Sequence, residues 1–441
     1  MQMGVKDTFL GRLLGNADKF SDEQVAQTIM LLIEHGVKHS ATDIHIEPHE
    51  RFVQVRYRIQ NHLKAVHKLP LAALPAVVGQ IKQSAHLRVT EEHLPQEGQY
   101  QVLVGEDSFE IQVYTMPVIG GEKIVLHITR RLAQPPTPED LGFWGDNLHN
   151  LRIALTAPYG LAVVAAPRRN GKNTTMHSML SLITTPAVSV ATVEEEITYR
   201  VPGVSQTVAR PHRGITFYQG LQAALKQDPN IVMISNMPDK QTINTAIQAA
   251  IGGHHLITGI NADNSIKALA HLGAAAEEAF LLAHSIRVVV SQRLVRKLCA
   301  TCRVAYTPSA EEISEIESTF GIASTVSRHK IHQLEKAAAT AQLGGHAEHH
   351  TTPTKIVKLW RASDTGCDAC ANTGYRGATG VNEVLDATST VIQNALISGA
   401  SAHELRKVAL KDGFIPMELD GLVKALRGQT TIAEILRALA I

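Results

Sequence analysis

The chain has 441 residues, enough for several domains, and 44% of them are hydrophobic, enough for globular cores. Lys and Arg number 42 against 41 Asp and Glu, so neither end carries the basic tail of a dedicated nucleic-acid binder, and no nucleic-acid partner is expected. The apolar run 155–166 is too short and interrupted for a bilayer span of roughly 20 residues. The N-terminal stretch, with Lys6, Asp7, Arg12 and Asp18, lacks the apolar block of a signal peptide, so a cytoplasmic protein is expected that reaches a membrane only through partners.

After an N-terminal extension, 1–20, residues 21–36 place Val25, Ile29, Leu32 and Ile33 on one face, which predicts a helix stopping near Gly36. Ile44 and Ile46 alternate with His45 and Glu47, and 52–57 and 109–114 repeat the alternation, so a small α+β domain with several strands is expected over 21–131. Pro135, Pro136 and Pro138 mark a linker over 132–142, because proline removes backbone donors and biases its predecessor away from helix.

Beyond it, strand-like segments at 161–165, 189–193, 230–234 and 255–260 alternate with helix-compatible ones at 175–182, 217–225 and 242–251. That alternation is the pattern of an α/β core, a sheet covered by helices, expected over 143–298. Residues 308–353 hold two predicted helices and a flexible-looking stretch with His346, His349 and His350, read as surface histidines in preference to metal ligands. A C-terminal helical region is expected over 371–441, broken at Gly399, Gly413 and Gly428.

Between the strand ending near Ala165 and the following helix lies Ala166-Pro167-Arg168-Arg169-Asn170-Gly171-Lys172-Asn173-Thr174-Thr175. This is where a phosphate loop belongs: backbone N–H groups at a helix N-terminus cradle phosphates, and a lysine reaches their outer oxygens. Gly171, Lys172, Asn173 and Thr174 are the candidate nucleotide contacts. The motif is imperfect. Ala166 replaces its first glycine, Arg168 and Arg169 crowd a turn normally made of small residues, and Asn173 replaces the Ser or Thr whose hydroxyl holds Mg²⁺. The residues alone leave a nucleotide site and a relic structural loop as competing readings.

The cysteines form two short pairs, Cys299-Ala300-Thr301-Cys302 and Cys367-Asp368-Ala369-Cys370, with a long insertion between them. Four thiolates so spaced suit a structural, tetrahedral Zn²⁺ fastening a region over 299–370, with free thiols or redox pairs as the alternatives. Within the insertion, Leu334, Ala337, Ala338 and Ala341 are expected to form a helix face for a neighbouring subunit or partner.

Ala41-Thr42-Asp43-Ile44-His45-Ile46-Glu47-Pro48, Val55-Arg56-Tyr57-Arg58-Ile59, Thr192-Val193-Glu194, Gln227-Asp228-Pro229, Gln292-Arg293-Leu294-Val295-Arg296-Lys297-Leu298-Cys299 and Thr373-Gly374-Tyr375-Arg376-Gly377 occur in this order. The set resembles the ATPase family that powers type II secretion and type IV pilus assembly or retraction. The resemblance implies a small, PAS-like N-terminal domain joined to a RecA-like P-loop core with a zinc-bearing C-terminal region. It also implies a hexamer, or a mixed ring with an active ATPase, working on an inner-membrane platform protein. ATP or ADP with Mg²⁺ are the implied cofactors, with binding expected to depend on Mg²⁺ and on Lys172, and Arg56 and Arg58 are the implied phosphate contacts of the small domain.

Against that pattern, several positions have changed. Glu194 matches the acidic box but Glu195 replaces its Asp; Asn236 replaces the acid near Mg²⁺ and the attacking water; Asn261 replaces a histidine; and His93, Gln99, His127, Gln222 and Lys226 replace arginines. An amide cannot accept a proton as a base. Two expectations therefore compete, a ring subunit with weak or lost hydrolysis and an active motor that uses Glu194 or Glu195, beside a structural or regulatory ring protein that binds no nucleotide.

Overall fold

The computed structural model describes residues 21–39, 41–59, 62–131, 134–211, 214–344, 350–352 and 355–439. The extension 1–20 and both His346 and His349 lie outside them. The chain forms two compact units that divide between residues 133 and 134.

The described residues of the first unit form a six-stranded antiparallel sheet with two α-helices. Its strands are β1 (Ala41–Pro48), β2 (Phe52–Ile59), β3 (His62–Pro70), β4 (Gln96–Val104), β5 (Asp107–Val118) and β6 (Gly121–Arg131), in the order β3-β2-β1-β6-β5-β4. The helix Asp22–Lys38 starts at a capping box between Ser21 and Gln24 and buries Val25, Ile29, Leu32 and Ile33. It runs on past Gly36, where a Cβ would lie 3.2 Å from Ile44 Cδ1, so this glycine serves close packing on the sheet and does not end the helix. Val53, Val55 and Tyr57 alternate into the same core, and the Tyr57 hydroxyl donates to Leu32 O at 2.8 Å. Each fully buried aliphatic side chain contributes about 1.5–3 kcal/mol.

The second unit is built on a mixed seven-stranded sheet. Its strands β7 (Gly160–Ala165), β8 (Val190–Glu194), β9 (Val204–Val208), β10 (Ile231–Ile234), β11 (His255–Ile260), β12 (Ile286–Leu298) and β15 (Tyr375–Asp386) lie in the order β15-β12-β7-β11-β10-β8-β9. All neighbours are parallel except β12 and β15. β7, β10 and β11 are buried along their whole length, as strands covered on both faces must be.

β15 departs from the helical region expected over 371–441: Val381, Val384 and Leu385 are buried in a long antiparallel ladder with β12. Gly377, Gly380 and Arg376 interrupt the alternation that would have marked it. Helices follow at Thr390–Ile397, Ala402–Lys411, Met417–Leu426 and Ile432–Leu439, and Gly399, Gly413 and Gly428 between them all have positive φ.

The insertion between the cysteine pairs is docked on its own chain. A two-stranded sheet, β13 (Val304–Tyr306) with β14 (Leu359–Arg361), and the helices Ala310–Thr319 and Thr325–Thr340 pack Ile316, Phe320, Ile331 and Leu359 against Leu422, Leu426 and Ile435. The helix face expected to meet a partner is largely spent inside: Ala338 is buried with Leu334 against Trp144 and Val423, while Ala337 and Ala341 stay exposed. Glu335 and Arg427, both fully buried, pair at 3.0 Å across this interface. His350, expected on the surface, is buried, and its N–H donates to Glu335.

Candidate functional site

In an open α/β sheet, ligands bind outside the C-terminal ends of the parallel strands. The loop 166–171 leaves the end of β7 and feeds the helix Lys172–Ile183. Its backbone is held from two sides. Ala166 N–H donates to Ile260 O at 3.2 Å, which accommodates the missing first glycine as a fully buried alanine. Asn170 accepts from Leu294 N–H through Oδ1 and from Gln292 Nε2 through its carbonyl, both at 3.2 Å. Thr175 closes the loop by donating to Gln292 Oε1 at 3.1 Å. Gly171 caps the helix at φ 83°, and a Cβ there would sit 2.5 Å from Gln292 Nε2, so only glycine serves. Arg169 also has φ 64°, a left-handed backbone that costs a non-glycine residue on the order of 1–2 kcal/mol.

Lys172 crosses to β11 and donates from Nζ to Asn261 Oδ1 at 3.1 Å. Gly259 clears its path, since a Cβ there would lie 3.1 Å from Lys172 Cδ and 2.4 Å from Ser235 O. Burial draws the lysine pKa below its ordinary value; Glu195 pulls it back up and Arg168 adds to the drop. Asn173 and Thr174 are both half-buried.

The acidic candidates differ sharply. Glu194, at 1% exposure, accepts from Thr192 Oγ1 at 2.6 Å and Gln206 Nε2 at 3.0 Å, and its other oxygen meets His177 Nε2 at 2.7 Å. Both oxygens are occupied within the core, and His177 is itself fully buried. Glu195 is exposed, with its backbone N–H donating to Ser235 Oγ at 2.9 Å, and it acts electrostatically on Lys172. Asn236 is half-buried just beyond β10. The partners of Glu194 escaped sequence reasoning because His177 lies in the phosphate-loop helix and Gln206 on the edge strand β9.

In the small unit, Arg56 and Arg58 point to the sheet face opposite the core, as their spacing predicts. Both are tied to carboxylates of β1: Arg56 to Glu47 at 2.7 Å and Arg58 to Asp43 at 3.1 Å. Lys123 shares Glu47 and His127 shares Asp43. Burial pushes the Glu47 carboxyl up, but Arg56 and Lys123 outweigh it and hold the pKa at about 2.

The cysteines converge. Cys299 follows β12 and Cys370 precedes β15, and Sγ distances of 3.7 Å separate Cys299 from Cys367, Cys302 from Cys370 and Cys367 from Cys370. All four sulfurs lie within 4.8 Å of one another. Tetrahedral metal–sulfur bonds of about 2.3 Å place neighbouring sulfurs about 3.8 Å apart, so the cluster has the size to hold a metal ion. Gly374 N–H also donates to Cys370 Sγ at 3.2 Å, a bond that favours thiolate.

Residues 18–437 match the family described as type II/IV secretion system protein. The chain belongs to that family. It is 32% identical over 416 residues to the type IV pilus assembly ATPase PilB of Thermus thermophilus, covering 94% of this chain but 43% of that relative. With the type II secretion system protein E of Xanthomonas campestris it shares 33% identity over 420 residues, 95% of this chain and 68% of the relative. Its fold is similar to those of the Legionella pneumophila ATPase DotB (TM-score 0.63, 14% identity, 97% and 98% of the two chains) and the pilus retraction motor PilT with bound ADP (0.56, 18%, 93% and 96%). Among the described residues, no helix is long and apolar enough to cross a membrane.

Proposed function

We propose that this family member is a nucleotide-binding subunit of a cytoplasmic ring in a type II secretion or type IV pilus-like machine, with ATP hydrolysis weak or lost. The observation that carries the reading is a split within one site. The loop's capping Gly171, its pinned backbone and the extended Lys172 are in place to hold ATP or ADP, whereas Glu194 is sealed in the core and Asn236 offers only an amide. Such a site keeps ground-state binding and lacks the groups that act in the transition state. Asn261 would hand Lys172 over to a phosphate.

Within the second unit, 143–298 is the RecA-like core, and the first unit is the PAS-like small domain. Arg56 and Arg58 reach phosphate only by exchanging Glu47 and Asp43 for it. Zn²⁺ is the metal for Cys299, Cys302, Cys367 and Cys370, and it would clip the ends of β12 and β15 at the root of the insertion. The ring is a homo-hexamer or a mixed ring with an active ATPase, working on an inner-membrane platform protein; relatives named as a pilus assembly ATPase and a secretion system protein support a place in such a machine.

One observation favours a second reading, an active motor: Glu195 is exposed and its charge acts on Lys172. Mass photometry of the full chain with and without ATP, together with ATP titration of wild type and Lys172→Ala, tests the main reading. A hexamer in some condition and binding lost in the variant are expected. A strict monomer, or no nucleotide binding, refutes it.

A further inference from the structure

A phosphate-loop Mg²⁺ is held by a loop hydroxyl and an acid at the end of a neighbouring strand, with the metal's two positive charges spread over the phosphates. Here both protein ligands are missing in the form Mg²⁺ prefers. The loop position is Asn173, and the next hydroxyl, Thr174, stands one residue beyond it. The strand-end position after β10 is Ser235-Asn236, and Ser235 Oγ accepts the Glu195 N–H.

The carboxylates that follow the parallel strands do not replace them. Glu194 is enclosed by Thr192, Gln206 and His177. Asp239 caps the next helix, accepting from the Thr242 N–H and hydroxyl at 2.8 Å each. Asp263 is paired with Lys267 at 2.7 Å and faces Arg293 at 3.5 Å. Among the described residues, Glu195 presents an exposed carboxylate that acts on Lys172. Glu195 lies at neither of the two ligand positions, and amides there replace the hydroxyl and the acid that hold Mg²⁺ beside the phosphates.

The same loop carries two charges that a small-residue loop lacks. Arg168 and Arg169 are both exposed at its crest, and Arg169 accepts a left-handed backbone to stand there. Arginine forks bind phosphate oxygens bidentately with a fixed positive charge. Two arginines supply the same formal charge as one Mg²⁺.

Building on the nucleotide-binding reading, we propose that this chain holds its nucleotide without a divalent cation, Arg168 and Arg169 neutralising the phosphates in place of Mg²⁺. The ligand class is thus the metal-free nucleoside di- or triphosphate. This departs from the Mg²⁺-dependent binding expected from the family resemblance, and it explains why two amides can occupy metal positions without costing the site its ligand. It also separates binding from turnover, since a cation bridging the outer phosphates is part of what stabilises phosphoryl transfer.

The test is ADP and ATP titration of the full-length chain by calorimetry, once with MgCl₂ and once with EDTA in its place. The wild-type Kd is expected to change by less than about fivefold between the two conditions. Arg168→Ala/Arg169→Gly, in which glycine suits the left-handed position, is expected to weaken binding in EDTA by about tenfold or more, as loss of charge-assisted contacts should. Arg168→Ala alone, at an exposed side chain, serves if the double variant does not fold, with at least a fivefold loss expected. Binding with MgCl₂ that falls more than about fivefold in EDTA, or arginine variants that bind in EDTA within about fivefold of wild type, overturns the proposal while leaving the nucleotide reading intact. No binding in either condition overturns the nucleotide reading, and this proposal with it.

Discussion

Glu335→Gln should detach the insertion from the C-terminal helices without unfolding the sheet. Glu335 and Arg427 are both fully buried, and the carboxylate accepts from Arg427 Nη1 at 3.0 Å, His350 N–H at 3.3 Å and Thr351 Oγ1 at 3.4 Å. Arg303 stands close to Arg427, its own pKa lowered first by burial and then by that guanidinium. Glutamine keeps the volume and one acceptor but leaves a buried positive charge uncompensated. Breaking such a pair costs about 3–5 kcal/mol, and a unit charge pair near 3–4 Å at an effective dielectric of about 20 gives a similar figure. The cost falls on one interface, whose apolar part is a modest cluster around Ile316, Phe320, Leu422 and Leu426. Local opening is therefore expected before global unfolding. Hydrogen exchange read by mass spectrometry should quicken over Thr325–Thr340 and Met417–Leu426 by about a hundredfold or more, with β7 and β11 unchanged. Glu335→Leu/Arg427→Met should recover most of the protection. A change under about fivefold, or equal acceleration throughout the sheet, would refute the reasoning.

Native mass spectrometry should retain one Zn²⁺ on the chain, and Cys367→Ser should release it and raise exchange around Cys299 and Cys370; an equally protected, metal-free wild type would contradict the assignment. Glu434 secures the last helix to β12, and although burial pushes its carboxyl up, Arg296 and Arg437 hold the pKa at about 2, below the ordinary 4.5. The folded value is the lower one, so this stabilisation is complete above about pH 4.5 and is lost as the pH falls toward 2. Glu434→Gln should lower stability at neutral pH and flatten its acid dependence across that window, and a variant with the wild-type pH profile of unfolding would argue otherwise.

What could be read from the sequence was local in it. The β7–loop–helix unit and the Cys-x-x-Cys pairs carry their meaning within a few residues, and the alternation of apolar strands with amphipathic helices located the sheet. The parts that stayed hidden depend on distant partners. Glu194 reads as a free acidic-box residue until His177 and Gln206 close over it. The insertion reads as a flexible partner-facing excursion until Arg427 meets Glu335 and Ala338 meets Trp144. β15 is masked by its own glycines, of which Gly380 is required because a Cβ there would lie 2.5 Å from Leu141 O. Gly36 reads as a helix stop, and the helix does end two residues later, but the glycine's own role is close helix–sheet contact, which looks the same as a cap in one dimension.

The central claim is that the loop binds nucleotide while hydrolysis is weak or lost, so ATP binding and phosphate release must be measured on one preparation of the full chain. ATP binding that Lys172→Ala abolishes, with phosphate release far below that of an active family motor, is the predicted result. Steady hydrolysis by wild type that Glu194→Gln or Glu195→Gln abolishes, with no gain from Asn236→Glu, would show that the acidic box has taken over catalysis and would contradict the account.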